Sequence, residues 1–367
     1  MTAEQYLQRA FLLAKQANPK AIRPNPFVGA IVVSENGEIV GEGFHQQAGE
    51  AHAEVIAIHQ AIGHGAKLDT CTLYVTLEPC SHTGKTPPCT DLIIQHRIPR
   101  VFIGSMDPNP LVSGARILQE NGVIVEILVT PAVVALNDTF NINQILKRPK
   151  YVLKSAITLN GKIADRSGKS QWISNEKSRE HAHQYLRTAA DAILTTAKTV
   201  LLDNPTMNIR IKDQPEDELN LIVFDRNLAL LKKENHHLSV FYTRNQSKIY
   251  LVTDKTGITT ELPHVEMITI PMQHGLFDLE MLHKELLKRN ICQVLIEAGG
   301  SMNAAMMQAK AVDEIYTFVC PRILMDNAAL NQFNSSQFQS MDDAIRLELL
   351  ESMTIGEDIF LRHKVIH

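Results

Sequence analysis

The chain has 367 residues, 44% of them hydrophobic and 21% charged. That excludes a mainly disordered or fibrous protein and leaves length for about two domains. Lysine and arginine number 36 against 40 aspartates and glutamates, a net charge of −4, and neither half has the basic excess of a protein built to grip a nucleic-acid backbone. Met1 to Ala17 reads as an amphipathic helix, not as a signal peptide. Phe27 to Val33, a turn at Glu35-Asn36-Gly37, and Ile39 to Phe44 read as a hairpin. Ala53 to Ile62 has helical spacing, Cys71 to Leu77 alternates as a strand, Cys89 to His96 is helical, and Val101 to Gly104 is a short strand. Leu111 to Asn121 is helical again, Val123 to Leu128 is a strand, and Pro131 to Leu146 reads as one closing helix. Lys147-Arg148-Pro149-Lys150 breaks the pattern, so domains are expected at 1–147 and 148–367.

The second part restarts with a strand, Tyr151 to Ile157, and a turn at Asn160-Gly161. Further strands are expected at Ala192 to Thr195, Asn220 to Phe224, Lys248 to Thr253, Val265 to Ile270, Val294 to Ile296 and Glu314 to Val319. Helices are expected at Lys177 to Arg187, Leu279 to Arg289 and Met302 to Ala309. Strands alternating with helices in both parts predict an α/β protein, with a mostly parallel sheet in the second. No apolar run reaches the roughly 18 residues of a membrane span. Five cysteines in so long a chain make no disulfide framework, which points to a reducing cytoplasm and to cysteines that serve metal or catalysis.

Three pieces of the first part carry chemistry together. His52-Ala53-Glu54 opens a helix, Cys80 follows a strand, and Cys89 opens the next helix. One histidine and two thiolates are three of the four ligands of tetrahedral Zn²⁺, and an open fourth position marks a catalytic site, where water binds and its pKa falls toward 7. Glu54 lies near enough to move a proton without being a ligand. Were His82 or His45 a fourth ligand, the zinc would be structural instead. His-x-Glu followed by Pro-Cys and a second cysteine is similar to the zinc deaminase signature. Here eight residues, Ser81 to Pro88, separate the cysteines. A base deaminase acting on RNA is a competing reading, disfavoured by the acidic balance.

The second part has no Gly-x-Gly-x-x-Gly. Its phosphate cradle is Ala298-Gly299-Gly300-Ser301, where a strand leads into a helix. Ser301 as a plain helix N-cap is the bland alternative.

With Pro24-Asn25-Pro26-Phe27-Val28-Gly29, Gly43-Phe44-His45, Gly49-Glu50-Ala51-His52-Ala53-Glu54, Thr76-Leu77-Glu78-Pro79-Cys80-Ser81-His82, Thr86-Pro87-Pro88-Cys89 and Asp107-Pro108-Asn109-Pro110, the first part resembles the deaminase half of the bifunctional riboflavin-biosynthesis deaminase/reductases. Leu159-Asn160-Gly161-Lys162-Ile163-Ala164, Gly168-Lys169-Ser170-Gln171-Trp172-Ile173, Thr199 to Pro205 and Ile296-Glu297-Ala298-Gly299-Gly300 resemble their reductase half. The resemblance runs from about residue 4 to 365 and is uninformative at about 212–290 and 325–345. It implies a cytidine-deaminase-like α/β/α sandwich followed by a dihydrofolate-reductase-like domain. It further implies hydrolytic deamination of a diaminopyrimidinone ribosylamine phosphate, then reduction of the ribosyl group to ribityl with NADPH. The cofactors it implies are one Zn²⁺ and NADPH; the partner is a phosphorylated pyrimidine, with no nucleic acid and no membrane, and a homo-oligomer is compatible with it.

The resemblance also places roles. His52, Cys80 and Cys89 would hold the metal, with Glu54 catalytic. Asn25, His45, His82, Lys85, Asp107 and Asn109 would meet the deaminase substrate. Ser170, Arg187, Met207, Arg210 and Glu297 would meet the reductase substrate. Ile157, Trp172, Thr199, Asp203, Gly299, Gly300, Ser301, Met302, Asn303, Ala304 and Ala305 would meet NADPH. Lys154, Asp203 and Glu297 are the candidates for acid/base work in the reduction. Two departures stand out: Asn160 where the family shows Asp, and one extra residue in the helix before Arg187.

Overall fold

A computed structural model describes residues 1–82, 87–273, 275–336 and 340–367. The chain divides into two compact units, Met1–Lys147 and Arg148–His367.

In the first unit, helix α1 (Ala3–Ala14) opens on a capping box. Gln5 N–H donates to Thr2 Oγ1, and Thr2 N–H donates to Gln5 Oε1, which satisfies amides that have no helical acceptor. Its spacing buries Tyr6, Leu7, Ala10, Leu13 and Ala14 along one face. Then follow β1 (Gly29–Val33), β2 (Ile39–Phe44), α2 (Ala53–Gly63), β3 (Thr72–Val75), α3 (Cys89–Gln95), β4 (Arg100–Ile103), α4 (Gly114–Glu120), β5 (Ile124–Ile127), α5 (Pro131–Leu136) and α6 (Asp138–Leu146).

The sheet runs β2-β1-β3-β4-β5. β1 is antiparallel to both neighbours, and β3, β4 and β5 are parallel. Strand alternation sends Ala30, Val32, Leu73, Val75, Val101 and Ile103 to α2, α3 and α4. Ile31, Val33, Tyr74 and Phe102 go to α1 on the other face. The result is an α/β/α sandwich, each fully buried Leu or Ile contributing roughly 1.5–3 kcal/mol.

The single closing helix expected at Pro131–Leu146 is instead two helices, broken at Asn137. Asn137 is buried and pairs with the backbone of Phe27, Oδ1 accepting its N–H at 2.7 Å and Nδ2 donating to its carbonyl at 2.9 Å. A tertiary pairing overrides the helical pattern there.

The second unit comprises β6 (Lys150–Thr158), α7 (Glu176–His181), β7 (Ala192–Thr196), α8 (Ala197–Asp203), β8 (Asn220–Phe224), β9 (Ile249–Thr253), β10 (Val265–Thr269), α9 (Leu279–Lys288), β11 (Gln293–Ile296), α10 (Gly300–Gln308), β12 (Val312–Cys320), β13 (Arg346–Ile355) and β14 (Asp358–Ile366), besides shorter pieces. Its nine-stranded sheet runs β10-β9-β8-β7-β11-β6-β12-β14-β13. The first seven are parallel, and β14 and β13 close one edge antiparallel. One face packs on α9 and α10, the other on the Ala182–Arg187 turn and the Leu230–Phe241 segment. Lys150 and Arg362 bind Glu314 from the flanking strands. Burial alone would raise the Glu314 carboxyl, but these two cations outweigh it and hold it at about 2.

The helix expected over Lys177–Arg187 is α-helical to His181 and continues as a π turn over Ala182–Arg187. A π turn takes in one more residue per turn than an α-helix, as the one extra residue that the resemblance implies before Arg187 requires. Asn160 also has a local reason. Its Oδ1 accepts from Thr158 Oγ1 and Leu324 N–H, and its Nδ2 donates to the Leu324 carbonyl at 3.0 Å. Ionised aspartate lacks that donor.

Candidate active sites

The first site lies beyond the carboxyl ends of β3 and β4, against the start of α2. His52 is the N-cap of α2 and Cys89 is the first residue of α3. His52 Nδ1 is 3.3 Å from Cys89 Sγ and 3.5 Å from Cys80 Sγ. The three ligand atoms lie within 4.8 Å of one another. Tetrahedral zinc with ordinary bond lengths separates nitrogen from sulfur by about 3.5 Å, so the set fits that ion. Hydrogen bonding from Cys89 pulls the Cys80 thiol down to about 4, while Cys89 is pushed up. Two sulfurs crowded around one imidazole share a proton that a cation replaces. Among the described residues no fourth histidine, cysteine or carboxylate joins the cluster, so the structural-zinc alternative finds no support in it.

Glu54, one residue into α2, is 3% exposed. Burial pushes its carboxyl up to about 7, against the lowering pull of His52. A carboxyl poised there both takes and gives protons at neutral pH.

Asn25 and His45 form a pair. His45 Nδ1 lies 3.2 Å from the Ala51 carbonyl, and its Nε2 lies 3.0 Å from Asn25 Nδ2. A carbonyl only accepts, so Nδ1 carries the proton and Nε2 accepts from the Asn25 amide. Burial pushes the pKa of His45 down, which preserves that neutral tautomer. His45, expected to meet the deaminase substrate, is 2% exposed and holds the Asn25 side chain.

Asp107 Oδ1 accepts from Asn109 N–H at 2.8 Å, and Asn109 Oδ1 from Leu111 N–H at 3.1 Å. These are the nested turns that such residues favour. They lie within electrostatic reach of Cys80 and the exposed His82. Lys85 lies outside the described residues.

The second site is a cleft of about 700 Å³, within the range of ligand pockets. It lies at the carboxyl ends of β6, β7 and β11. Lys154, Ser170, Trp172, Arg187, Thr199, Asp203, Met207, Arg210, Glu297, Gly299, Gly300, Ser301 and Met302 all line it. Ile157, Asn303, Ala304 and Ala305 do not. Asn303 and Ala304 are buried on the inner face of α10. The N-cap of α10 is Gly299, not Ser301. A Cβ on Gly300 would stand 2.2 Å from the Asn331 carbonyl oxygen, whereas Gly299 faces open space. The backbone therefore presents bare amides to the cleft at the positive end of a helix, a fit for a dinucleotide phosphate.

Arg187 forms a fork on Glu297, Nε to Oε1 at 2.9 Å and Nη2 to Oε2 at 2.7 Å. Burial alone would raise Glu297, but Arg187, aided by Lys154, holds it at about 2. Arg187, expected to meet the reductase substrate, has its fork committed to Glu297 in this structure, and its Nη1 donates to the Asn208 carbonyl. Lys154 is pushed down by burial, against the pull of Glu297. Asp203 is pushed up by burial.

Sequence reasoning missed three supports. Arg179 lines the cleft with its guanidinium 4.5 Å from the centre of the Trp172 ring. His183, held near 3 by burial and by Arg187 and Arg210, accepts the Arg210 N–H at 2.9 Å. Arg244, 3% exposed, donates to the carbonyls of Met207, Thr206, Leu219 and Val240, and so holds Met207 in its left-handed backbone conformation, φ 52°. Lone arginines and a histidine in a helical stretch carry no motif, and Arg244 falls where the resemblance is silent.

The family model for the RibD C-terminal domain matches residues 149–361. The model for the cytidine and deoxycytidylate deaminase zinc-binding region matches residues 1–105. The riboflavin biosynthesis protein RibD of Actinobacillus pleuropneumoniae is 36% identical over 377 residues, covering 100% of this chain and 96% of that one. The Escherichia coli protein of the same name is 34% identical, covering 98% and 99%. A solved diaminohydroxyphosphoribosylaminopyrimidine deaminase/5-amino-6-(5-phosphoribosylamino)uracil reductase from Thermotoga maritima superposes with a TM-score of 0.85 at 33% identity, covering 99% of each chain. Acinetobacter baumannii RibD gives 0.81 at 31%, covering 100% and 99%.

Proposed function

The chain belongs to the RibD family of bifunctional deaminase/reductases of riboflavin biosynthesis, and from that premise we propose how its residues divide the two reactions. It is an enzyme with a zinc-binding, cytidine-deaminase-like domain followed by an NADPH-dependent reductase domain. In our reading the deaminase occupies residues 1–147 and the reductase 148–367.

In the first site His52, Cys80 and Cys89 would hold the zinc. Bound there, the ion supplies Lewis acidity that makes water a nucleophile at neutral pH. Glu54 takes the proton of the attacking water and delivers it to the departing amine. Asn25, its Nδ2 given to His45, offers Oδ1 to a pyrimidine N–H. Asp107 and Asn109 meet the ribose, and His82 with Lys85 meets the phosphate.

In the second site the first amides of α10, with Trp172, Thr199 and Asp203, would hold NADPH, which would supply the hydride. Reduction of a ribosylamine requires the sugar ring to open, and so a proton on the ring oxygen. Glu297, held as a carboxylate by Arg187, is a poor donor. Lys154, its pKa lowered by burial, gives a proton more readily, so we assign it the acid role and Glu297 the role of its counter-charge. Ser170, Arg210 and the Met207 backbone hold the substrate, a small phosphorylated pyrimidine.

The observation that carries this reading is the convergence of His52, Cys80 and Cys89 beside buried Glu54. The test supplies the diaminopyrimidinone ribosylamine phosphate with and without NADPH and identifies the products. Deaminated ribosyl product without NADPH and ribityl product with it are expected. Ribityl product carrying the original amine would overturn the order.

No described helix is long and apolar enough to cross a membrane, and no disulfide joins any of the five cysteines; a cytoplasmic setting accords with both. A homo-oligomer accords with edge strand β13, which exposes Leu347, Leu349 and Leu350 along an unpaired edge. Light scattering on the eluting protein decides this, and a monomer at assay concentration would refute it.

A further inference from the structure

The strip Glu78–Ser81 carries Cys80, and the segment 105–115 carries Asp107 and Asn109. The two are laced together. Glu78 N–H donates to the Ser105 carbonyl at 2.8 Å, and Ser113 N–H donates to Ser81 Oγ at 2.9 Å. A Cβ on Gly114 would stand 1.9 Å from the Pro79 carbonyl oxygen, so the backbones are nearly in contact. Between these points lies the Glu78 carboxylate, 5% exposed. Its Oε2 accepts from Asp107 N–H at 3.3 Å, and its Oε1 accepts from Ala115 N–H at 2.9 Å. The two donors lie at opposite ends of one loop, so a single side chain fixes that loop's span. A buried carboxylate that meets backbone amides costs much to leave unsatisfied, which makes the arrangement rigid.

We propose that Glu78 is a positioning residue of the deaminase site. Its carboxylate braces the Asp107–Asn109 loop at a set distance from Cys80, so that both side chains meet the ribose of a substrate whose ring sits at the metal. The proposal rests on the reading that Asp107 and Asn109 contact substrate. Glu78 itself touches neither substrate nor metal, and acts through the loop. Glutamine cannot replace it, because one of its two terminal atoms is a donor and would face an N–H.

The test measures zinc content and steady-state deamination for Glu78→Gln, Glu78→Asp, Asp107→Ala, Asn109→Ala and the double variant Glu78→Gln with Asp107→Ala. Glu78→Gln is expected to keep zinc and raise KM about tenfold, with kcat within about twofold. In the Asp107→Ala background the same change should add little, because both act on one contact. Glu78→Asp keeps the charge but cannot span both donors, and should show the same KM-selective loss. A raised KM in Asp107→Ala with a normal KM in Glu78→Gln overturns the brace alone. Normal KM in both Asp107→Ala and Asn109→Ala overturns the reading beneath it, and the brace with it. Additive effects in the double variant, parallel loss of kcat, or loss of zinc or of folded protein in both Glu78 variants would make Glu78 a support of the domain and overturn the proposal.

Discussion

Replacing Arg187 with methionine would remove the cation from a fork whose two side chains are 11% and 14% exposed. Glu297 would then stay in the cleft with Lys154 as its chief remaining counter-charge. Burial works to raise its carboxyl, and Arg187, aided by Lys154, reverses that, taking it from an ordinary 4.5 to about 2. A depression of that size corresponds to roughly 3 kcal/mol, and breaking a buried pair from one side costs about 3–5 kcal/mol. The pKa is lowered in the folded state, so this stability is present above the ordinary value and is lost as pH falls through about 2. The deficit of Arg187→Met should therefore be about 3 kcal/mol at about pH 7 and shrink steadily below about pH 4.5.

Trp172 is the only tryptophan and lies in the second unit, so urea unfolding followed by its emission reports on that unit alone. Reduction of the deaminated substrate, followed by NADPH absorbance, should fall in parallel. Arg187→Lys keeps the charge but loses the fork and should lie between. A deficit below about 1 kcal/mol, the worth of a surface pair, unchanged between neutral and acid pH, would refute the reasoning.

Glu54→Gln should keep zinc, by metal analysis, while deamination falls at least about 100-fold; near-normal deamination would remove Glu54 from the proton path. Chelation or Cys80→Ser should abolish deamination while reduction of pre-deaminated substrate persists, checked with circular dichroism and size exclusion. Loss of both activities in protein that stays folded would contradict the division at Lys147. Gly114→Ala forces a Cβ to 1.9 Å from the Pro79 oxygen and should destabilise the first unit by roughly 1–3 kcal/mol while weakening zinc binding through Cys80. Unchanged melting and metal affinity would refute that close approach.

The zinc cluster is legible in the amino-acid sequence because few residue types bind that ion and because His52 and Cys89 open helices that hydrophobic period reveals, with Cys80 in the loop after a strand. The same holds for the Gly299-Gly300 cradle and for strands such as β8 and β9, whose β-branched runs are buried on both faces. Tertiary structure alone decided what buried polar groups do. His45 became a support for Asn25 because the Ala51 carbonyl fixed its tautomer. Glu78 became a brace because two amides 37 and 29 residues away converge on it. Arg187 met Glu297 across 110 residues. Asn137 ended a helix for the sake of Phe27, 110 residues earlier. Periodicity reports which face of an element is apolar; the partner of a buried donor or charge depends on which distant segment the fold brings within about 3 Å, and no local pattern encodes that.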